Sequence, residues 1–411
     1  MRFNKRIKSH HLGRKLSSFM SGSKKLDEIL NSTGEREQVI YIHIPYCSNI
    51  CSFCNMNRSL DRPKKDYIDL IIDQLKYYSE SNRFKTSTFS SIYFGGGTPS
   101  ILSERDLYKI LDALHSSANL EPDIEITMES SLTDLNDEKF NTIRSSGVNR
   151  LSIGVQTFSN DGRKFLNRRG DKDFAYNRLK YIRNSGFENL NIDLIYNYFN
   201  QSKAELIEDL KLIDELDLAG FSMYSLIIMN ESELGKNLEK YNINRSSSRD
   251  REFFDTVLEY SKNYEYLELT KRVKKGRDEY KYIKQRLAGK DTFPLGAGAG
   301  GSIENLLIMN PIDIDKYEYN VYNPENVNGM YFKDDYFKYK KAIDTIQLLY
   351  YNPNILNDER INEYFKTLEN ENYLYKEKDI YKLNDNGVFW GNNIIDSIWN
   401  IVLEYEKALS L

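Results

Sequence analysis

Cysteine is nearly absent from this chain of 411 residues. There are three, Cys47, Cys51 and Cys54, and all fall within eight consecutive positions. An odd trio so close together cannot build a disulfide framework, and it suits a reducing compartment. Long hydrophobic runs are missing too: no stretch of eighteen apolar residues offers a membrane span. The first residues lack the apolar segment of a secretory leader. Net charge is small, −4 at pH 7, so no global field argues for nucleic acid. What remains, 40% hydrophobic and 29% charged residues, is the composition of a folded, soluble and, by expectation, cytoplasmic protein.

The chain is too long for one ordinary compact domain but suits an α/β barrel with an appendage. Residues 1–35 form an extension whose first 25 positions carry eight Lys and Arg and no acid, which reads as a solvated basic tail. From about residue 39 short apolar runs alternate with helical periodicity. The expected strands are 39–45, 90–96, 123–129, 150–156, 189–196, 220–228 and 264–270; residues 65–80 illustrate the amphipathic helices between them. Such alternation implies parallel βαβ units and a barrel or partial barrel over 36–310, with its chemistry at the C-terminal strand ends. Residues 325–411 read as a small second domain, helical or winged-helix-like.

The cysteines follow the first barrel strand with the spacing Cys-x3-Cys-x2-Cys. Three thiolates on one short loop can hold three corners of a [4Fe–4S] cluster and leave the fourth iron open. That iron can chelate the amine and carboxylate of S-adenosylmethionine, whose reductive cleavage releases a carbon radical. Two other readings stay open: three buried thiols, and a zinc site completed by His43. The polar residues Ser48, Asn49, Ser52 and Asn55 between the thiols weigh against the first. Triplet spacing, and the position of His43 within a strand, weigh against the second.

One βα unit later, Gly95, Gly96 and Gly97 leave the backbone open to close approach by a ligand. Glu129, Gln156 and Asp193 fall at or in successive strands, and Arg168 follows Gln156. A carboxylate there can accept bonds from a ribose or amine, and an arginine can pair a ligand's carboxylate.

Four stretches together, "YIHIPYCSNICSFC", "YFGGGTPS", "GVNRLSIGVQTF" and "NIDLIY", resemble the radical SAM superfamily, specifically its coproporphyrinogen dehydrogenase-like (HemN/HemW) branch, over roughly residues 36–302. The resemblance implies a partial (β/α)6 TIM-like barrel. It makes Cys47, Cys51 and Cys54 the catalytic cluster ligands. It assigns S-adenosylmethionine contacts to Gly96, Gly97, Glu129, Gln156, Arg168 and Asp193, with Gly95 and Tyr41 close by.

Within the branch, coproporphyrinogen dehydrogenases carry a further cysteine where this chain has Met56. The heme chaperones carry a His and Trp motif where residues 267–286 have neither. The sequence is most similar to the heme-utilisation (HutW/ChuW-type) group, whose members degrade heme without oxygen. That resemblance implies heme or a related tetrapyrrole as substrate, methyl transfer to the porphyrin with ring opening and iron release, and an electron donor such as flavodoxin or ferredoxin. A heme-trafficking protein and a coproporphyrinogen III dehydrogenase are the alternatives. The basic run after 264–270, with Arg272 and Arg277, is expected at the barrel mouth to hold propionates. His10, His11 and His115 are candidate heme ligands.

Overall fold

The computed structural model describes residues 2–8, 19–56, 58–61, 63, 66–240 and 246–409. His10 and His11 lie outside the described residues.

Strand β1 (Met20–Lys25) precedes the barrel. Six parallel strands then follow in spatial order: β2 (Gln38–Ile44), β3 (Phe89–Gly96), β4 (Leu120–Ser130), β5 (Arg150–Gln156), β6 (Leu190–Tyr196) and β7 (Gly220–Ser225). Their burial is nearly continuous, as in β3, where seven residues are buried and only Gly96 is partly exposed. Strands covered on both faces read as apolar runs rather than alternating patterns, which is why short hydrophobic stretches marked them in the sequence. Helices Tyr67–Glu80, Glu104–Ser117, Asp137–Ser145, Lys172–Asn184 and Lys203–Glu215 fill the crossovers. Ser202 and Glu205 form a reciprocal capping box at the start of the last of these.

The seventh expected strand departs from the pattern. Residues 264–270 hold only the short β8 (Glu265–Glu268), which turns directly into β9 (Lys271–Val273). Both run antiparallel to their neighbours, and β9 pairs with β7. At the opposite edge β10 (Thr292–Leu295) adds in parallel to β2. The sheet therefore starts at β10, ends at β8 and stays open, a partial barrel.

Beyond it, β11 (Gly300–Ile303), β12 (Leu306–Met309) and β13 (Asn328–Phe332) join β1 in a second sheet. The C-terminal region carries β14 (Tyr350–Tyr351), β15 (Leu374–Glu377) and β16 (Ile380–Leu383), with helices Glu359–Asn370 and Gly391–Leu409. Phe254 of the barrel meets Phe389 at 5.3 Å between ring centroids, and one apolar core runs through both parts.

Residues 2–8 depart from the solvated-tail reading. Arg6 donates to the Tyr196 hydroxyl at 2.8 Å, to Asp250 at 3.1 Å and to the Phe389 carbonyl at 2.7 Å. Lys8 donates to the Ser225 hydroxyl at 2.6 Å. These cations sit against β6, β7 and the C-terminal region because Asp250, itself buried, needs a counter-charge.

Candidate active site

The cysteine loop leaves β2 at Ile44 and is held from both sides. Cys47 N donates to the Ser59 carbonyl at 2.9 Å, and Ser59 N to the Pro45 carbonyl at 2.7 Å. Across the barrel mouth, Ser52 Oγ donates to the Phe165 carbonyl at 2.9 Å and Asn49 to the Asn167 carbonyl at 2.8 Å. Asn167 in turn donates to the Ile50 carbonyl at 2.7 Å. The loop bearing the thiols is thus buckled to the loop after β5 that bears Arg168.

Arg168 exploits this. One Nη donates to Cys51 Sγ at 2.9 Å, the other to the Gly154 carbonyl. On the far side Arg58 donates to the Cys54 carbonyl at 2.6 Å and to the Met56 carbonyl. The Nε atoms of both arginines are buried without a hydrogen-bond partner among the described residues. Burial pushes the Cys47 and Cys54 thiols up; the Thr98 hydroxyl, 3.6 Å from Cys47 Sγ, counters it in part.

All three thiols are free of disulfides and line one cavity of about 600 Å³. Gly96, Gly97, Glu129, Gln156, Arg168 and Asp193 line it too. Gly96 has φ +111°, and an added Cβ would meet the His43 ring at 2.8 Å; at Gly97 it would meet the Tyr46 carbonyl at 2.4 Å. Close packing of the chain on itself therefore demands these glycines, besides any ligand. Glu129 accepts from the Tyr93 hydroxyl at 2.6 Å and from Gly96 N at 3.2 Å. Burial pushes its carboxyl up to about 7, against the pull of those two donors.

Five expected residues fall elsewhere. Tyr41 and Gly95 are not among the lining residues; Tyr41 bonds the His43 ring at 2.9 Å and packs beside the stacked Tyr93–Tyr282 pair inside the barrel. Arg272 and Arg277 correct the expectation of a basic mouth. Arg272, in β9, pairs with Phe221 of β7, is buried, and donates to the carbonyls of Ser261 and Tyr264. Arg277 pairs with Asp217 at 3.1 Å, just before β7 begins. Both sit toward the N-terminal end of β7, away from the cavity, because β9 runs antiparallel to its neighbour. His115 bonds the Leu111 carbonyl of its own helix and also lies off the cavity.

Sequence reasoning missed the Ser48 and Ser131 hydroxyls, which converge on Asp134 at 3.0 and 2.5 Å at the cavity wall. It missed Arg163 as well, buried under the loop, whose guanidinium donates to the carbonyls of Thr157 and Gly170 at 3.1 and 2.8 Å. The run of arginines from 163 to 169 was the available signal.

The three thiols surround a cavity rather than a point: among the described residues no three His, Cys, Asp or Glu side chains form a site for a single metal ion. A cubane cluster spreads its ligands over separate irons, so the free thiols, the unspent arginine donors and the cavity fit it. Residues 41–213 match the family model of the Radical SAM superfamily, and the chain carries a radical SAM domain there. The cofactors of that family are a [4Fe–4S] cluster and S-adenosylmethionine. Curated relatives refine the placement. The heme chaperone HemW of Lactococcus lactis is 27% identical over 87% of this chain and 96% of its own length. The anaerobilin synthase of Escherichia coli O157:H7 is 28% identical over 72% of this chain and 67% of its own length. Among solved structures, the coproporphyrinogen III oxidase HemN of Escherichia coli superposes with a TM-score of 0.76 at 20% identity, covering 90% of this chain and 92% of that one. That likeness establishes the fold. The chain thus carries a radical SAM domain, and along much of its length it is similar to heme chaperones, an anaerobilin synthase and coproporphyrinogen III oxidases.

Proposed function

We propose that the chain acts on heme, transferring a methyl group from S-adenosylmethionine to the porphyrin, opening the ring without oxygen and releasing iron. The observation that carries this reading is the mixed lining of the cavity that holds the three cysteines. The three cysteines and the strand-end polar residues share it with Phe53, Met56, Leu226, Ile227 and Met229. An apolar patch beside the polar residues that line the rest of the cavity suits a large flat macrocycle next to a polar cofactor.

In this reading Cys47, Cys51 and Cys54 hold the cluster, and Gly96, Gly97, Glu129, Gln156, Arg168 and Asp193 contact S-adenosylmethionine. When bound, the two cofactors supply a carbon radical and a methyl donor. Arg168, anchored on Gly154 with its Nε unspent, pairs a carboxylate of the cofactor. Glu129 accepts from a sugar or an amine. Tyr41 supports the floor through His43 rather than touching the ligand. Flavodoxin or ferredoxin serves as reductant.

The extent of the match to a heme chaperone, nearly the whole length of that relative, favours a second reading as a heme carrier. Anaerobic incubation with heme, reductant and S-adenosylmethionine labelled in its methyl group separates the two. Label in the tetrapyrrole supports the enzyme. Heme passed on unlabelled, with its absorption band intact, supports the carrier.

A further inference from the structure

Beneath the cavity the barrel holds a layer of buried charge. Register sets it: Gly154, Asp193, Ser222 and Lys271 are successive partners across β5, β6, β7 and β9, and Glu268 faces Lys271 within the β8–β9 hairpin. Directly paired side chains share a face of the sheet. The Lys271 side chain is 1% exposed, and its Nζ has no hydrogen-bond partner among the described residues. Its nearest carboxylate oxygen, Oδ2 of Asp278, is 3.6 Å away. Asp278 is already matched, because it accepts two bonds from Arg150 at 2.9 Å each. Glu268 accepts from the Thr270 hydroxyl at 2.6 Å. The Tyr280 ring lies 3.9 Å from the Arg150 guanidinium and 5.5 Å from the Lys271 ammonium. A buried ammonium is costly unless opposite charge compensates it. With Asp278 spent on Arg150, the remaining carboxylates are Asp193 and Glu268, and only Asp193 lines the cavity.

We propose that Lys271 is a positioning residue that keeps Asp193 ionised at neutral pH, so that this carboxylate can accept hydrogen bonds from the sugar hydroxyls of S-adenosylmethionine. The proposal rests on the reading of Asp193 as a cofactor contact. Burial pushes the Asp193 carboxyl up, and Lys271 is the largest influence pulling it back; the Ser222 hydroxyl, Arg150 and Arg168 act in the same sense more weakly. Glu129 and Tyr224 face the same space, Glu129 feeling the charge of Asp193 and Tyr224 those of Asp193 and Glu268. Burial in turn lowers Lys271 to about 8, helped by Arg150 and opposed by Asp278, Asp193 and Glu268.

The test is calorimetric binding of S-adenosylhomocysteine to the cluster-reconstituted protein, under anaerobic conditions, from about pH 6 to about pH 9. The quantity read is the ratio of variant to wild-type Kd, both in a Glu129→Gln background, because Glu129 feels the charge of Asp193 and would otherwise titrate differently in the two proteins. For Lys271→Met the ratio exceeds one near pH 6.5 and grows as pH falls, because the variant's Asp193 must first lose a proton to accept from the ligand. It approaches one near pH 9, where the wild-type lysine is neutral and Asp193 is ionised in both proteins. Lys271→Arg keeps the ratio near one throughout. Lys271→Gln replaces the methionine variant if that does not fold. A ratio that is constant with pH, or that arginine does not restore, overturns the proposal. Failure of the underlying reading shows separately, as an Asp193→Asn variant that binds like wild type.

Discussion

Arg168 places one guanidinium nitrogen 2.9 Å from the sulfur of Cys51 and another on the Gly154 carbonyl, so one side chain ties the cysteine loop to the end of β5. A fork so anchored is pre-organised for a carboxylate, and lysine cannot reproduce it. Arg168→Lys should weaken S-adenosylmethionine binding by about tenfold or more, as expected for loss of one charge-assisted bond. Anaerobic calorimetry checks this, with iron content confirming that the cluster survives.

With Cys47, Cys51 and Cys54 as the proposed cluster ligands, removing any one thiol leaves too few for a stable cluster. Cys47→Ala, Cys51→Ala and Cys54→Ala should each reconstitute with substoichiometric iron and sulfide and lose the charge-transfer absorption of the cluster. A full cluster in Cys51→Ala would remove that residue from the ligand set.

Glu129 gives the site a pH dependence. Its carboxyl sits at about 7 in the folded chain, against 4.5 when unperturbed, so the folded protein holds a proton that the unfolded chain releases. Its contribution to stability is therefore fully present below about 4.5 and is lost as pH rises through about 7. A ligand that donates to the carboxylate binds the deprotonated form, so cofactor affinity should fall as pH drops below about 7. Glu129→Gln should flatten that acid limb while lowering affinity near pH 8. Binding isotherms across this range decide it.

Much of this site was legible because its signals are local. Cysteine spacing, a glycine run and polar residues at strand ends need only the chain nearby. The basic run beginning at Lys271 was not, because its meaning depends on pairing. Once β9 folds back along β7, Lys271 faces Ser222 and the interior, whereas Arg272 turns to carbonyls of residues 261 and 264. A two-residue period separates their fates, and no local pattern marks a strand of three residues. The basic N-terminus misled for a related reason. Its counter-charge, Asp250, lies 244 positions from Arg6.

That correction is itself testable. Arg272→Ala strips partners from two buried carbonyls and a stacking contact with Tyr266, whose ring is 4.3 Å away, and should cost about 2–3 kcal/mol of stability. Arg277→Ala breaks a partly exposed pair with Asp217 and should cost about 1 kcal/mol or less. Neither should change heme affinity. Chemical denaturation and heme titration of the two variants report on both points.

Consumption of heme is the activity proposed for this chain. The most direct measurement is mass analysis of the tetrapyrrole after anaerobic incubation of the reconstituted protein with heme, reductant and S-adenosylmethionine. The proposed activity yields an open-chain, iron-free product heavier by a methyl group, formed in amounts exceeding the protein and absent in Cys51→Ala. Heme recovered with its mass and absorption unchanged, while the wild-type protein still cleaves S-adenosylmethionine, would contradict it.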